Sequence, residues 1–148
     1  MFIFLQFYEL SVFNKILTAF DGSETSDRAL YYAAQLASIS DGDLIILFVV
    51  HELIKEFSQK EDDISLEDKI QNLLNKNVNK IKKIYPNLKI RSIIMKGSPS
   101  FVIVEVAKKE NVDLIVVGSR GFRIKDWSLG SISSSVVNHS PINVLVIK

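Results

Sequence analysis

The chain has no cysteine, which excludes a disulfide framework, a cysteine-based zinc site and a thiol nucleophile together. Its two histidines, His51 and His139, stand too far apart for any short metal-binding motif. Neither sign of charge dominates: eighteen Lys+Arg face seventeen Asp+Glu, leaving a formal net charge of +1. That balance removes the electrostatic footprint of a nucleic-acid binder and of a polybasic membrane protein. Proline and glycine are scarce, at three and six residues. Together with abundant Ile, Leu and Val, this scarcity argues against disorder. No apolar run reaches the ~20 residues that span a bilayer. The 148 residues suffice for one domain, with a core burying roughly 68–70% of the unfolded chain's surface.

Residues 1–13 (MFIFLQFYELSVF) are apolar and aromatic, yet the first lysine is Lys15. A secretory signal would want its basic residues before the apolar run and a small-residue cleavage site after it. Residues 1–14 are therefore expected to be an extension of unknown role before a single domain over 15–148. The alternation within residues 2–7 also suits an added strand. A cytoplasmic location is the default expectation.

Apolar runs and helical periods alternate along the rest. Residues 15–21 (KILTAFD) predict a short buried strand ended by Gly22. Ser23 can cap a helix in which Ala29, Leu30, Ala33, Leu36 and Ala37 recur at helical spacing. Asp41 and Gly42 break it. Residues 43–50 (DLIILFVV) form a continuous apolar run, the pattern of a strand buried on both faces. Residues 51–65 predict a loop or frayed helix. Residues 66–85 predict an amphipathic helix on Ile70, Leu73, Leu74, Asn77, Ile81 and Ile84, stopped by Pro86. Residues 89–96 predict a third strand, after which Gly97 turns the chain. Ser98 as cap with Pro99 at the first helical position starts a helix to Asn111. A fourth strand (112–117), a short helix (131–138) and a fifth strand (143–147) complete the pattern.

Strand–helix alternation with apolar strands predicts an α/β fold, a parallel sheet with helices on both faces. Right-handed crossovers limit it to a few doubly wound orders. Ligands in such sheets bind beyond the strands' carboxyl ends, where the strand order reverses. The loops that matter then follow Phe20, Val50, Lys96 and Val117.

The richest of these holds Gly118, Ser119, Arg120 and Gly121, then eight residues, then Gly130 and Ser131 opening a helix. Glycine permits positive φ and close approach of a ligand, and amides at a helix start favour anions. Arg120, Arg123 and Lys125 add cations, so the loop suits a polyphosphate. The plainer alternative is that Gly118 only turns the strand and Gly130 only permits tight packing. A Walker A loop is excluded because no Lys follows a second glycine before Ser or Thr, and GxGxxG is missing after the first strand.

Six blocks resemble the universal stress protein family: KILTAFDGSETSDRAL (15–30), LIILFVV (44–50), GSPS (97–100), VDLIVVGSRG (112–121), LGSISSSVV (129–137) and SPINVLVIK (140–148). The resemblance implies a three-layer, doubly wound, five-stranded parallel sheet in the order 3-2-1-4-5, with Asp21 and Gly118 facing each other at the reversal. Family members that bind ATP carry a loop of Gly, two residues, Gly, nine residues, Gly and Ser or Thr. Gly118, Gly121, Gly130 and Ser131 match it, with one residue fewer in the longer gap. By the same resemblance Ile132 is a backbone donor to phosphate, and Asp21 is the acidic residue beside the nucleotide. Ala19 and Phe20 line the adenine pocket with main chain, and Val49 meets the adenine edge. Gly97, Ser119 and Arg120 join the candidate list from the matching blocks.

These matches imply an ATP-binding (or AMP- or ADP-binding) regulatory stress-response protein with at most slow hydrolysis. Asp21 is the candidate to hold Mg²⁺ against the phosphates, since Mg²⁺ typically takes one or two carboxylates plus phosphate oxygens. The rival reading is a dimeric stress adaptor that does not bind nucleotide. A nucleotidyl-transfer or pyrophosphatase enzyme is a third, though relatives of that kind carry a Ser-Gly-rich loop that DGSETS resembles poorly. A homodimer through the apolar fifth strand is expected, with no nucleic-acid or membrane partner. Other residues carry plainer expectations. His51 is solvated at the pocket rim, and His139 interacts with a helix dipole. Trp127 packs a loop, and Lys80, Lys82 and Lys83 form a solvated helix face. Of the serines at 131, 133, 134 and 135, only Ser131 is assigned a phosphate role.

Overall fold

Five short strands rich in Ile, Leu and Val alternate with four helices in the computed structural model, which describes residues 12–51, 63–120 and 129–148. The expectations for residues 1–11, for Gly121 and for the cationic and aromatic side chains of 122–128 lie outside the described residues. Strand β1 is Lys15–Ala19, β2 Asp43–Val50, β3 Ile90–Lys96, β4 Leu114–Gly118 and β5 Asn143–Ile147. The helices are α1 Glu24–Ile39, α2 Asp63–Ile84, α3 Pro99–Lys109 and α4 Ser131–His139.

Every strand pair is parallel, in the order β3-β2-β1-β4-β5. The expected class and strand order are observed. Strand period two divides the apolar residues between the two faces. Ile16, Phe20, Leu44, Ile46 and Val116 pack under Leu30 and Ala33 of α1 and Leu74 and Ile81 of α2. Leu17, Ile45, Leu47, Ile115 and Val117 pack under Val102, Ile103 and Val106 of α3 and Val136 of α4. Each Leu or Ile buried this completely contributes roughly 1.5–3 kcal/mol. Handedness explains the layers. The crossovers β1→β2 and β2→β3 step one way across the sheet, and β3→β4 and β4→β5 step the other way, so right-handed connections put α1 and α2 on one face and α3 and α4 on the other.

Local signals set most boundaries. Helix α1 is capped by Ser23, whose hydroxyl accepts the Ser26 N–H at 3.3 Å. Asp41 and Asn111, just past α1 and α3, take the left-handed φ (51° and 53°) that closes a helix end. Several expectations change: β1 ends at Ala19 rather than Asp21, α3 ends at Lys109 rather than Asn111, and β4 begins at Leu114 rather than Val112. Helix α2 begins at Asp63 rather than Leu66, so it takes in the end of the stretch expected to be loop or frayed helix. Ser98 occupies the N-cap position of α3, but its side chain makes no cap hydrogen bond. Pro99 supplies that start through its preset φ instead.

Candidate functional site

Beyond Ala19 the first strand leaves the sheet. The Phe20 N–H still donates to the Leu47 carbonyl (2.9 Å), and the buried Phe20 ring meets Phe48 edge-on at 6.5 Å. Main-chain groups alternate sides along a strand. Val50 accepts from the Gly97 N–H of the β3 side (3.0 Å), so the N–H and C=O of Val49 face the β1 side. There β1 has already ended, and Val49 has no main-chain partner among the described residues. The sheet thus presents an unused donor–acceptor pair beside Ala19 and Phe20.

Two helix starts flank this gap, and they differ electrostatically. The start of α1 is closed by its own residues. Asp21, exposed, accepts the Ser23 N–H on Oδ1 (2.9 Å), Ser26 Oγ donates to the Ser23 carbonyl (2.9 Å), and Glu24 and Asp27 put negative charge in the first turn. Helix α4 starts at Gly130, which has no side chain to cap it, and its first turn holds no acid. The amides of Ser131, Ile132 and Ser133 lie before the first intrahelical bond, Ser134 N–H to Gly130 carbonyl at 2.9 Å. Ser131 and Ile132 are exposed. Of these two termini, α4 is the one open to an anion.

Hydrogen bonds join the three chain segments at the sheet reversal. The Ser119 carbonyl accepts from the Gly130 N–H (2.7 Å) and from Ser133 Oγ (2.9 Å). The Ser119 N–H donates to the Ile147 carbonyl (2.6 Å). Thr25 Oγ1 donates to the Arg120 carbonyl, tying the first turn of α1 to the residues after β4. Arg120 is half-buried, and its Nε–H is buried with no acceptor among the described residues.

Several expectations change in kind. The amides of Ser119 and Gly130 are engaged within the protein, so the donors left at the α4 start are the amides of Ser131 and Ile132 and the hydroxyl of exposed Ser131, while Ser119 is buried. Gly118 and Gly130 were expected to exploit positive φ, but among the described residues the positive-φ glycines are Gly22 and Gly97. Gly118 is required for another reason. A Cβ there would stand 2.8 Å from the Thr25 carbonyl carbon and 2.9 Å from Ser26 N, so only glycine lets α1 approach β4 this closely. Gly97 has φ 145° and a neighbour, Val102 Cγ2, 2.9 Å from where its Cβ would lie. It turns the chain into α3 from the edge strand, with β2 between it and β1, and the structure does not bring it to the reversal.

Ala19, Phe20, Asp21, Val49, Gly118, Ser119, Arg120, Gly130, Ser131 and Ile132 all lie at the carboxyl end of β1, β2 and β4 or on the helix that follows. His51 is half-buried just past β2. The His139 ring Nδ1 stands 2.8 Å from the Ser135 carbonyl at the end of α4. Thr25 and Ser133 were not assigned roles from the sequence. Their only signal was a small hydroxyl residue within one turn of a helix start. Among the described residues no group of three His, Asp or Glu could hold a metal ion, and no helix is long and apolar enough to cross a membrane.

Comparison with known proteins bears on this arrangement. The profile of the universal stress protein family matches residues 13–148. Universal stress protein YxiE of Bacillus subtilis is 34% identical, covering 93% of this chain and all of the relative. Universal stress protein MJ0577 of Methanocaldococcus jannaschii is 32% identical over 93% of this chain and 96% of that protein. The solved structure of MJ0577 superposes with a TM-score of 0.71 over 91% of this chain and 95% of its own. A universal stress protein solved in complex with cAMP is 26% identical, with a TM-score of 0.72 over 91% of this chain and 96% of that one.

Proposed function

The chain belongs to the universal stress protein family, and on that premise we propose that it binds an adenine nucleotide, ATP or its AMP and ADP relatives, in the crevice between β1 and β4. The observation that carries the reading is the uncapped, acid-free start of α4, held beside an exposed carboxylate and an unused strand edge. In this reading the adenine lies along the main chain of Ala19 and Phe20 and pairs with the N–H and C=O of Val49. Asp21 faces the ribose. The phosphates meet the amides of Ser131 and Ile132 and the hydroxyls of Ser119 and Ser131, beside Gly118. Arg120 supplies a cation, its buried Nε–H having no acceptor among the described residues. The relative solved with cAMP supports the ligand class.

Magnesium fits on one condition. Asp21 has one carboxylate oxygen engaged by Ser23, and its other oxygen is a single protein ligand, so the phosphates would complete the shell. Bound there, the ion would neutralise phosphate charge. The role we assign is regulatory, with hydrolysis slow at most, because in-line attack needs a residue that positions water and Asp21 is committed to the α1 start. The reading also places the domain at 15–148, in the cytoplasm, as a homodimer through β5. Among the described residues that strand pairs only with β4 and leaves its other edge open.

The test is calorimetric titration of ATP with Mg²⁺ into the purified chain, with Gly130→Val as the comparison. Saturable binding that the variant loses while its far-UV spectrum is kept is expected. A flat titration into the millimolar range would refute nucleotide binding and favour the stress adaptor.

A further inference from the structure

We propose that Ser133 is the positioning residue of the phosphate site, a hydroxyl that touches no ligand but sets the direction of the amides that do. The inference deepens the nucleotide reading above and rests on it. Ser133 is the third residue of α4 and is 3% exposed. Its Oγ lies 2.9 Å from the Ser119 carbonyl and 3.0 Å from the Gly130 carbonyl. One hydroxyl thereby joins the residue after β4 to the cap of α4.

Neither carbonyl needs that hydroxyl for its own satisfaction. The Ser119 carbonyl already takes the Gly130 N–H at 2.7 Å, and the Gly130 carbonyl takes the Ser134 N–H at 2.9 Å. Removing the hydroxyl leaves no buried carbonyl orphaned, so the fold tolerates its loss. What the bond adds is geometric. Among the described residues Gly130–Ser119 is the one main-chain link there, and about it alone the first turn of α4 can pivot against the end of β4. A second link one turn along the helix stops the pivot and holds the Ser131 and Ile132 amides on one line into the crevice. Sites that recognise a ligand by directed donors need them held to within roughly 0.5 Å and 10–20°. Alanine could not provide this link at a position the core would otherwise fill with an apolar residue.

The distinguishing readout is the ligand's phosphate content. Adenosine meets the strand edge at Val49 but not the α4 amides, whereas ATP meets both. Ser133→Ala is expected to weaken ATP binding about tenfold, the size of effect that misplacing a charge-assisted donor pair produces, and to leave adenosine affinity unchanged. Ser133→Thr, which keeps the hydroxyl, is expected to restore ATP affinity. Ser133→Gly provides a second deletion should the alanine variant fail to fold. Calorimetry with ATP and with adenosine on the full chain, beside thermal unfolding of each variant, reads all of this. Equal ATP affinity in the deletion variants and the parent overturns the proposal, and so does a parallel loss of ATP and adenosine binding. If the parent itself binds no ATP, the nucleotide reading fails and this inference with it. If the parent binds and Ser133→Ala binds equally well, the positioning role fails alone.

Discussion

Replacing Gly118 with alanine adds one methyl group where α1 crosses the end of β4. An ideal Cβ stands 2.8 Å from both the Thr25 carbonyl carbon and Thr25 Oγ1, and 2.9 Å from Ser26 N. Two of those three atoms belong to backbone, so no side-chain rotation relieves the contact. Reaching an ordinary separation of 3.4 Å requires α1 and β4 to part by about 0.6 Å. Overpacking of this kind costs about 1–3 kcal/mol. The displacement also pulls Thr25 Oγ1 off the Arg120 carbonyl, a further ~1 kcal/mol for a hydrogen bond. Alanine returns ~0.4–1 kcal/mol of that total through the less flexible unfolded chain, because φ at this site is not positive. The expected net loss is about 2 kcal/mol, which for a chain of this size lowers Tm by roughly 4–8 °C. Urea unfolding at equilibrium, with m unchanged, measures it. Truncating Thr25 to alanine should not rescue the variant, because the Thr25 carbonyl carbon and Ser26 N remain in place. A Gly118→Ala protein within about 0.5 kcal/mol of the parent would refute the close-approach account.

Two further outcomes bear on ligand and assembly. Asp21→Asn should abolish the part of ATP affinity that depends on Mg²⁺, since Asp21 is the one carboxylate assigned to the ion; titrations with and without EDTA check it, and equal Mg²⁺ dependence in both proteins would count against Asp21 as its ligand. Light scattering at micromolar concentration should report twice the chain mass of 16.7 kDa, with Val144→Pro in the open-edged β5 returning it to the monomer value, because proline removes a main-chain donor from the edge. A monomeric parent would end the β5 interface.

The alternation of apolar strands with helical periods was legible along the chain, since a strand buried on both faces must be apolar throughout and a surface helix must be apolar on one stripe. Local chemistry also reads directly. Ser23 before an apolar period caps α1, and Pro99 opens α3. The carboxyl-end location of the candidate site follows from parallel topology alone. What the chain's order could not display is which groups remain available once elements meet. Gly118 and Gly130 read as flexible phosphate-loop glycines, but the first is fixed by the crowding of α1 against β4 and the amide of the second is engaged by Ser119. Nor does a one-dimensional pattern separate the two helix starts at the crevice, both of which begin with small hydroxyl residues. Only the fold shows α1 sealed by Asp21 and Ser23 and α4 left open, with Thr25 and Ser133 binding both to the end of β4. Burial and period are properties of neighbours along the chain, whereas the availability of a donor depends on distant partners, as Thr25 does on Arg120 ninety-five residues away, which are chosen only when the sheet closes.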